Sequence, residues 1–234
     1  MKRTLLACFG VVALASSALA ADLPPPGAPQ NYYKAPPPPA PSWTGCYIGG
    51  GGGAGLMTSN QSLAGAATVD VGGQGWMGVA GGGCDYQMHI WKWDTVIGAF
   101  GDYDFMNFRG TASSPGGFTG NMNETSAWSG GLRAGVLLSP NVLLYTDGGY
   151  TGAHLNAINF VPAGPAIPAQ DYNGWFLGGG TDTSLGWVLP GLFLRTEYRY
   201  SNYQSNNVGG LRSNLATQTV FTELVWRFNF SGLR

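Results

Sequence analysis

The segment Leu192-Phe193-Leu194-Arg195-Thr196-Glu197-Tyr198-Arg199-Tyr200 carries a charge at every second position. Side chains alternate across a strand with a period of two, so Arg195, Glu197 and Arg199 share one face. Leu192, Leu194, Thr196, Tyr198 and Tyr200 share the other. The final run repeats the pattern, with Glu223 and Arg227 against Leu224, Trp226, Phe228 and Phe230. A soluble sandwich would bury the apolar face and leave the charges in water. A membrane barrel turns the apolar face to lipid and the charges to its lumen. Further features of the chain favour the barrel.

The first 20 residues have the anatomy of an export signal. Lys2 and Arg3 form the basic start, Leu5 to Leu14 the apolar core, and Ala18-Leu19-Ala20 the cleavage site. Cys8 precedes the end of the apolar core, so it is not read as a lipidation site. Residues 21–42 hold nine of the 15 prolines and are expected to be an extended spacer. Residues 43–234 then form one barrel domain.

Composition excludes several classes. Once Lys2 and Arg3 are removed, nine basic residues face 12 acidic ones without a basic cluster, which argues against nucleic acid. No window approaches 18 consecutive apolar residues, so a helical span is excluded. Abundant glycine (39 residues) and aromatics, with only 10% charged residues, fit a wall whose lipid face is spread over alternate positions.

Alternation and turn signals give an all-β, eight-stranded antiparallel up-and-down barrel. The strands are expected near 43–56, 74–87, 92–107, 124–138, 141–152, 173–186, 191–203 and 216–230. Connections after strands two, four and six are short: His89-Ile90-Trp91, Ser139-Pro140-Asn141, and Trp187 to Pro190. Those after strands one, three, five and seven are long: 57–73, 108–123, 153–172 and 204–215. Short periplasmic turns opposite long outer loops are the asymmetry of an outer-membrane barrel.

Charge placement follows the same parity. Asp94, Asp102 and Asp104 oppose Trp93, Ile97, Ala99, Tyr103 and Phe105. Arg133 opposes Trp128, Leu132, Ala134 and Val136; Asp182 opposes Trp175 and Leu177; Asp147 also turns inward. With Arg195, Glu197, Arg199, Glu223 and Arg227, these form one lumenal network whose opposite charges should pair. Eight strands enclose a space just wide enough for side chains, so a plugged lumen is expected. Trp43 and Tyr47, Trp76 and Tyr86, Trp91 and Trp93, Trp175, Tyr198, Tyr200, Trp226 and Phe228 are expected in aromatic girdles at the membrane surfaces.

Catalytic chemistry is poorly represented. His89 falls in a short turn, and His154, near Asp147 and Asp171 in sequence, reads as a solvated loop histidine. Gly49 to Gly53 lacks the lysine and hydroxyl of a phosphate loop, and no His/Cys cluster has metal-ligand spacing. No cofactor is expected. Cys46 and Cys84 fall near one barrel end if their strands pair. A bridge requires that their side chains share a face, and free thiols on facing strands are the simpler expectation.

Several segments together resemble the small porin-like outer-membrane β-barrel family of α-proteobacteria, related in architecture to the OmpA-type transmembrane barrel. They are Ala-Asp-Leu-Pro after Ala20, Trp43-Thr44-Gly45-Cys46-Tyr47-Ile48-Gly49-Gly50, Val96-Ile97-Gly98-Ala99-Phe100-Gly101-Asp102, Leu144-Tyr145-Thr146-Asp147-Gly148-Gly149 and Arg195-Thr196-Glu197-Tyr198-Arg199-Tyr200. The resemblance implies an outer-membrane location, envelope support and displayed surface loops. The partners so implied are outer-membrane lipid and lipopolysaccharide, the barrel-assembly machinery, and a peptidoglycan or host-surface contact. Such barrels end on an aromatic that the assembly machinery reads. Here Trp226-Arg227-Phe228 matches, but six residues follow, leaving Phe228 or Phe230 as the terminal aromatic. Two other roles remain open: a surface adhesion or ligand-binding barrel, whose loop residues Phe118, Asn121, Tyr172 and Asn173 would serve, and a narrow porin-like channel.

Overall fold

In the computed structural model the described residues are 41–63, 69–113, 119–157, 160–161, 169–208 and 211–228. The expected signal, most of the spacer, Phe118 and Phe230 lie outside them. The strands are β1 Gly45–Leu63, β2 Val69–Ile90, β3 Trp93–Ser113, β4 Thr119–Ser139, β5 Val142–Leu155, β6 Phe160–Val161, β7 Gln170–Ser184, β8 Leu192–Val208 and β9 Leu211–Phe228. All pairings are antiparallel. Eight long strands form a ring in chain order, closed by β1 against β9, and two-residue β6 adds to the outer end of β4. Closure leaves no unpaired edge in the wall, the condition for a sheet to stand in lipid. No helix among the described residues is long and apolar enough to cross a membrane, so crossing falls to the strands.

Three tight turns close one end. Trp91 and Lys92 join β2 to β3, with Trp91 at φ 58°, the positive range that hairpin twist demands. Pro140 and Asn141 join β4 to β5. The β7–β8 turn ends on Gly191 at φ 83°. At the other end the strands run beyond the expected limits: β1 extends to Leu63, β3 to Ser113 and β8 to Val208. Much of the sequence expected as long loop is therefore ladder. Polar alternating residues can pair as well in water above the bilayer as apolar ones do within it, so composition alone misplaces the boundary.

The outward faces carry Ile48, Leu56, Trp76, Tyr86, Trp93, Trp128, Leu132, Trp175, Leu177, Val220 and Leu224, all exposed. Leu132, at 70% exposure, would be anomalous in a water-soluble protein and is ordinary against lipid. Trp43 and Tyr47 depart from the expected girdle. They are 1% and 3% exposed and point into the barrel. Tyr47 shares the parity of Gly49, Gly51 and Gly53, whose small size leaves room for rings on the inner face.

That inner face is crowded enough to dictate glycine. A Cβ on Gly53 would meet the Val220 carbonyl and lie 2.6 Å from the Phe221 Cα, whereas on outward Gly50 it would meet only the Val79 carbonyl at 3.4 Å. Gly53→Ala should therefore lower the unfolding free energy from urea titration by about 1–3 kcal/mol. Gly50→Ala should leave it within about 0.5 kcal/mol. Equal midpoints would contradict the crowded inner wall.

Register settles the cysteines. Cys46 stands directly opposite Cys84, both on the outward parity, and they form a disulfide with Cα atoms 3.9 Å apart. The bridge closes a 38-residue separation. In the chain-entropy view this contributes about 3–4 kcal/mol against the unfolded chain. Replacing both cysteines by serine should lower the unfolding free energy by up to that amount and retain a folded, SDS-resistant barrel in the cold.

Candidate functional site: a filled and charged lumen

Alternation on β2, β3, β4, β7, β8 and β9 brings two groups of charges into the lumen. Toward the turn end, Asp182 (fully buried, at 0% exposure) accepts from two arginines and is ion-paired with a third. Arg195 grips it with two parallel bonds of 2.8 and 3.0 Å. Arg133 reaches it at 3.3 Å and Arg227 lies 3.7 Å away. Asp85 is the second anchor. Arg133 Nε donates to it at 2.8 Å, a second Arg133 nitrogen contacts its other oxygen, and Arg227 donates at 2.6 Å. The Arg133 and Arg195 guanidiniums each lie 4.7 Å from the Tyr47 ring centre and Arg227 5.2 Å, so one aromatic face system spaces three cations.

A second group lies nearer mid-lumen. Arg199 holds Asp102 with two bonds of 2.9 and 2.7 Å, and its Nε donates to Glu197 at 3.0 Å. The Tyr145 hydroxyl donates to the other Glu197 oxygen at 2.8 Å. Arg199 is packed over Phe176 and Phe221. Glu223 lies 3.5 Å from Arg195. Paired, bidentate and desolvated on all sides, such charges hold the wall in one register, and removing one partner strands the other.

Of the network read from the sequence, Asp102, Asp104, Arg133, Asp147, Asp182, Arg195, Glu197, Arg199, Glu223 and Arg227 all turn into the lumen. Asp94 does not join them. It has the inward parity but stands at the rim, its side chain 52% exposed and 3.0 Å from His89 Nδ1. Parity fixes the face and not the height. Two buried acids escaped the sequence reading. Asp85 shows the right alternation, between Cys84 and Tyr86. Glu124 is hidden by a register shift between Glu124 and Ser126, which reverses the parity established by Arg133.

Both ends of the lumen are shut. Trp43 crosses the turn end from the start of β1. Its indole nitrogen donates to the Pro140 carbonyl at 3.2 Å, half the ring away, and its ring packs 4.9 Å from Phe193. Arg227 donates to the Trp43 carbonyl at 2.8 Å. Toward the loop end Met57, Met77, Met106, Phe108, Leu155 and Leu215 form an apolar plug. Between them, the cavity bounded by Tyr47, Phe100, Asp102 and Glu223 measures about 10 Å³, room for one water at most.

The two histidines lie outside the lumen. His154 belongs to β5, not to a loop, and its Nδ1 is 2.6 Å from Asp171 on β7, directly opposite in register. Both side chains are exposed on the outward face near the loop end.

Comparison with known proteins agrees with this architecture. The fold resembles that of OprG, an outer membrane protein of Pseudomonas aeruginosa, with a TM-score of 0.51 at 13% identity, covering 81% of this chain and 99% of that one. Neisserial surface protein A gives 0.46 at 12% identity, covering 80% and 98%. Ail, the attachment invasion locus protein of Yersinia pestis, gives 0.36 at 10% identity, covering 75% and 98%. No curated protein sequence matches the chain significantly. The outer membrane protein beta-barrel domain family matches residues 4–228, and with its closed eight-stranded ring the chain belongs to that family and to the bacterial outer membrane.

Proposed function

We propose that the chain is a structural barrel that stabilises the envelope and displays its outer hairpins, and that it does not conduct solutes. The observation that carries this reading is the filled lumen. Trp43, the ion-paired belt and the methionine-rich plug occupy the axis in succession, and the cavity beside the belt holds one water at most. The same reading takes residues 1–20 as export signal, 21–42 as periplasmic spacer and 43–234 as barrel. It takes Trp226, Phe228 and Phe230 as the strand signal for the assembly machinery, and places the chain in the small porin-like group of α-proteobacteria that its motifs resemble. A spacer entering at Trp43 would leave from the turn end, where peptidoglycan lies. No catalytic role is proposed: the His154–Asp171 pair faces outward on an exposed rim. For an adhesive role, Tyr172 is unsuited because it is buried in the plug; Asn121 and Asn173 are exposed.

Refolded protein in planar bilayers should give no reproducible conductance, while its unboiled SDS band runs faster than the boiled one. Regular conductance steps from the folded band would replace the structural reading with the channel. The network is tested separately. Asp182→Ala, which takes from Arg195 both of its short bonds, should lower the unfolding free energy from urea titration by about 3–5 kcal/mol. Asp94→Asn at the rim should change it by less than about 0.5 kcal/mol.

A further inference from the structure

The four lumenal arginines are each bridged to acids, whereas Arg109 has no acid partner among the described residues. It is exposed near the loop end of β3, next to fully buried Phe108, and so faces outward. Its Nε donates to Asn107 Oδ1 at 3.0 Å. Asn107 lies two residues nearer the membrane and directly opposite Trp76, one of the exposed outward rings. The bond therefore draws the guanidinium down the wall to the level where aromatics meet head groups. Its terminal nitrogens have no described acceptor, which leaves a charged fork for an oxyanion.

A groove surrounds it. Directly opposite Arg109 on β4 is Asn123, and two residues further out Thr111 faces Asn121. With Gly110 these residues line an open groove of about 360 Å³. The Asn123 Oδ1 is buried and has no hydrogen-bond partner among the described residues. The two ends of an amide are exchangeable, so this position offers an acceptor or, turned over, an N–H donor. Two amides and a hydroxyl beside an arginine suit a sugar that carries an acid group. A second groove, of about 630 Å³, adjoins the first through Gln74, which lies opposite Arg109 on β2. Gln74 and Gln218 form its polar edge, with the Tyr198 hydroxyl donating to Gln218 at 3.1 Å. Beyond that edge it is apolar, with Ala54 between Trp76 and Val220 in register and Tyr198 at the side.

We propose that the two grooves together seat one phosphorylated glycolipid of the outer leaflet. Its anionic saccharide head group rests on Arg109, Asn121 and Asn123, and an acyl chain lies over Ala54 between Trp76 and Tyr198. A soluble phosphate needs no apolar trough beside its arginine, and a neutral lipid needs no unpaired guanidinium at head-group height. Only an amphipathic anion uses both. The proposal rests on the outer-membrane placement and not on the filled lumen, so it and the non-conducting reading fail separately.

The test is native mass spectrometry of the folded full chain in non-ionic detergent, titrated with bisphosphorylated lipid A. Wild type should retain one lipid per barrel. Arg109→Gln should weaken binding by about 10- to 100-fold. Lys92→Gln, which removes an exposed cation from the β2–β3 turn at the other end, should bind as wild type does. Both variants should keep the faster unboiled SDS band, which separates lost binding from lost fold. Should Arg109→Gln lose that band, Asn123→Ala takes its place with the same outcomes. A wild type that retains no lipid, equal binding by Arg109→Gln and Lys92→Gln, or equal binding of phosphatase-treated lipid A overturns the proposal. So does displacement of the lipid by inorganic phosphate at matching concentration, because the anion bound is then a soluble one.

Discussion

Closing eight strands into a ring forces the inner face to contract, and most of the molecule answers to that constraint. Inner positions on β1 are glycine because the neighbouring strand's carbonyls approach too closely for a side chain. The room they free is taken by Tyr47, Phe100, Phe176, Phe193 and Phe221 and by four arginines laid against those rings. Neither set works without the other. Glycines alone would leave a void, and rings alone would hold the wall open. Guanidiniums suit the space because they are flat, stack on aromatics and satisfy two carboxylate oxygens at once.

The same contraction separates this barrel from a pore. In a wider ring, opposed lumenal charges would line water. Here Asp182 serves three arginines and Asp85 two, and the exposure of each acid falls to 5% or less. The charges behave as a polar core: expensive to bury, cheap only when complete, and specific about register. Trp43 extends that core to the turn end by bonding both to the Pro140 carbonyl across the ring and to Arg227 beside it.

Strand alternation made the ring, its strand count and the inward face of ten charged residues legible before any coordinates. What escaped did so for definable reasons. Glu124 lies across a bulge from Arg133, and a bulge inverts every parity argument beyond it. Asp94 obeys parity at a height where the lumen has already ended. Trp43 and Tyr47 look like girdle aromatics because a ring is equally at home against lipid or inside a glycine-rich wall. Only the opposing residues decide, and those come from strands distant in sequence. The disulfide depended on a register that a one-residue slip would have destroyed.

The strongest demands of closure fall on the β1–β9 seam, because it joins the two chain segments farthest apart in sequence and carries the largest loop-closure cost. Several contacts converge at its turn end. Cys46 pairs with Phe228 on one side and is bonded to Cys84 on the other, so β1 is held to β2 at the level where β9 must dock. From β9, Arg227 reaches inward to the Trp43 carbonyl and to Asp85 on β2, spanning the seam beneath the backbone ladder. Outside the wall the tie is covalent, and inside it is ionic. A slip of β9 by one residue would turn Arg227 and Glu223 toward lipid and Trp226 into the arginine cluster. The charged alternation of the final strand therefore selects the one register in which the barrel can shut.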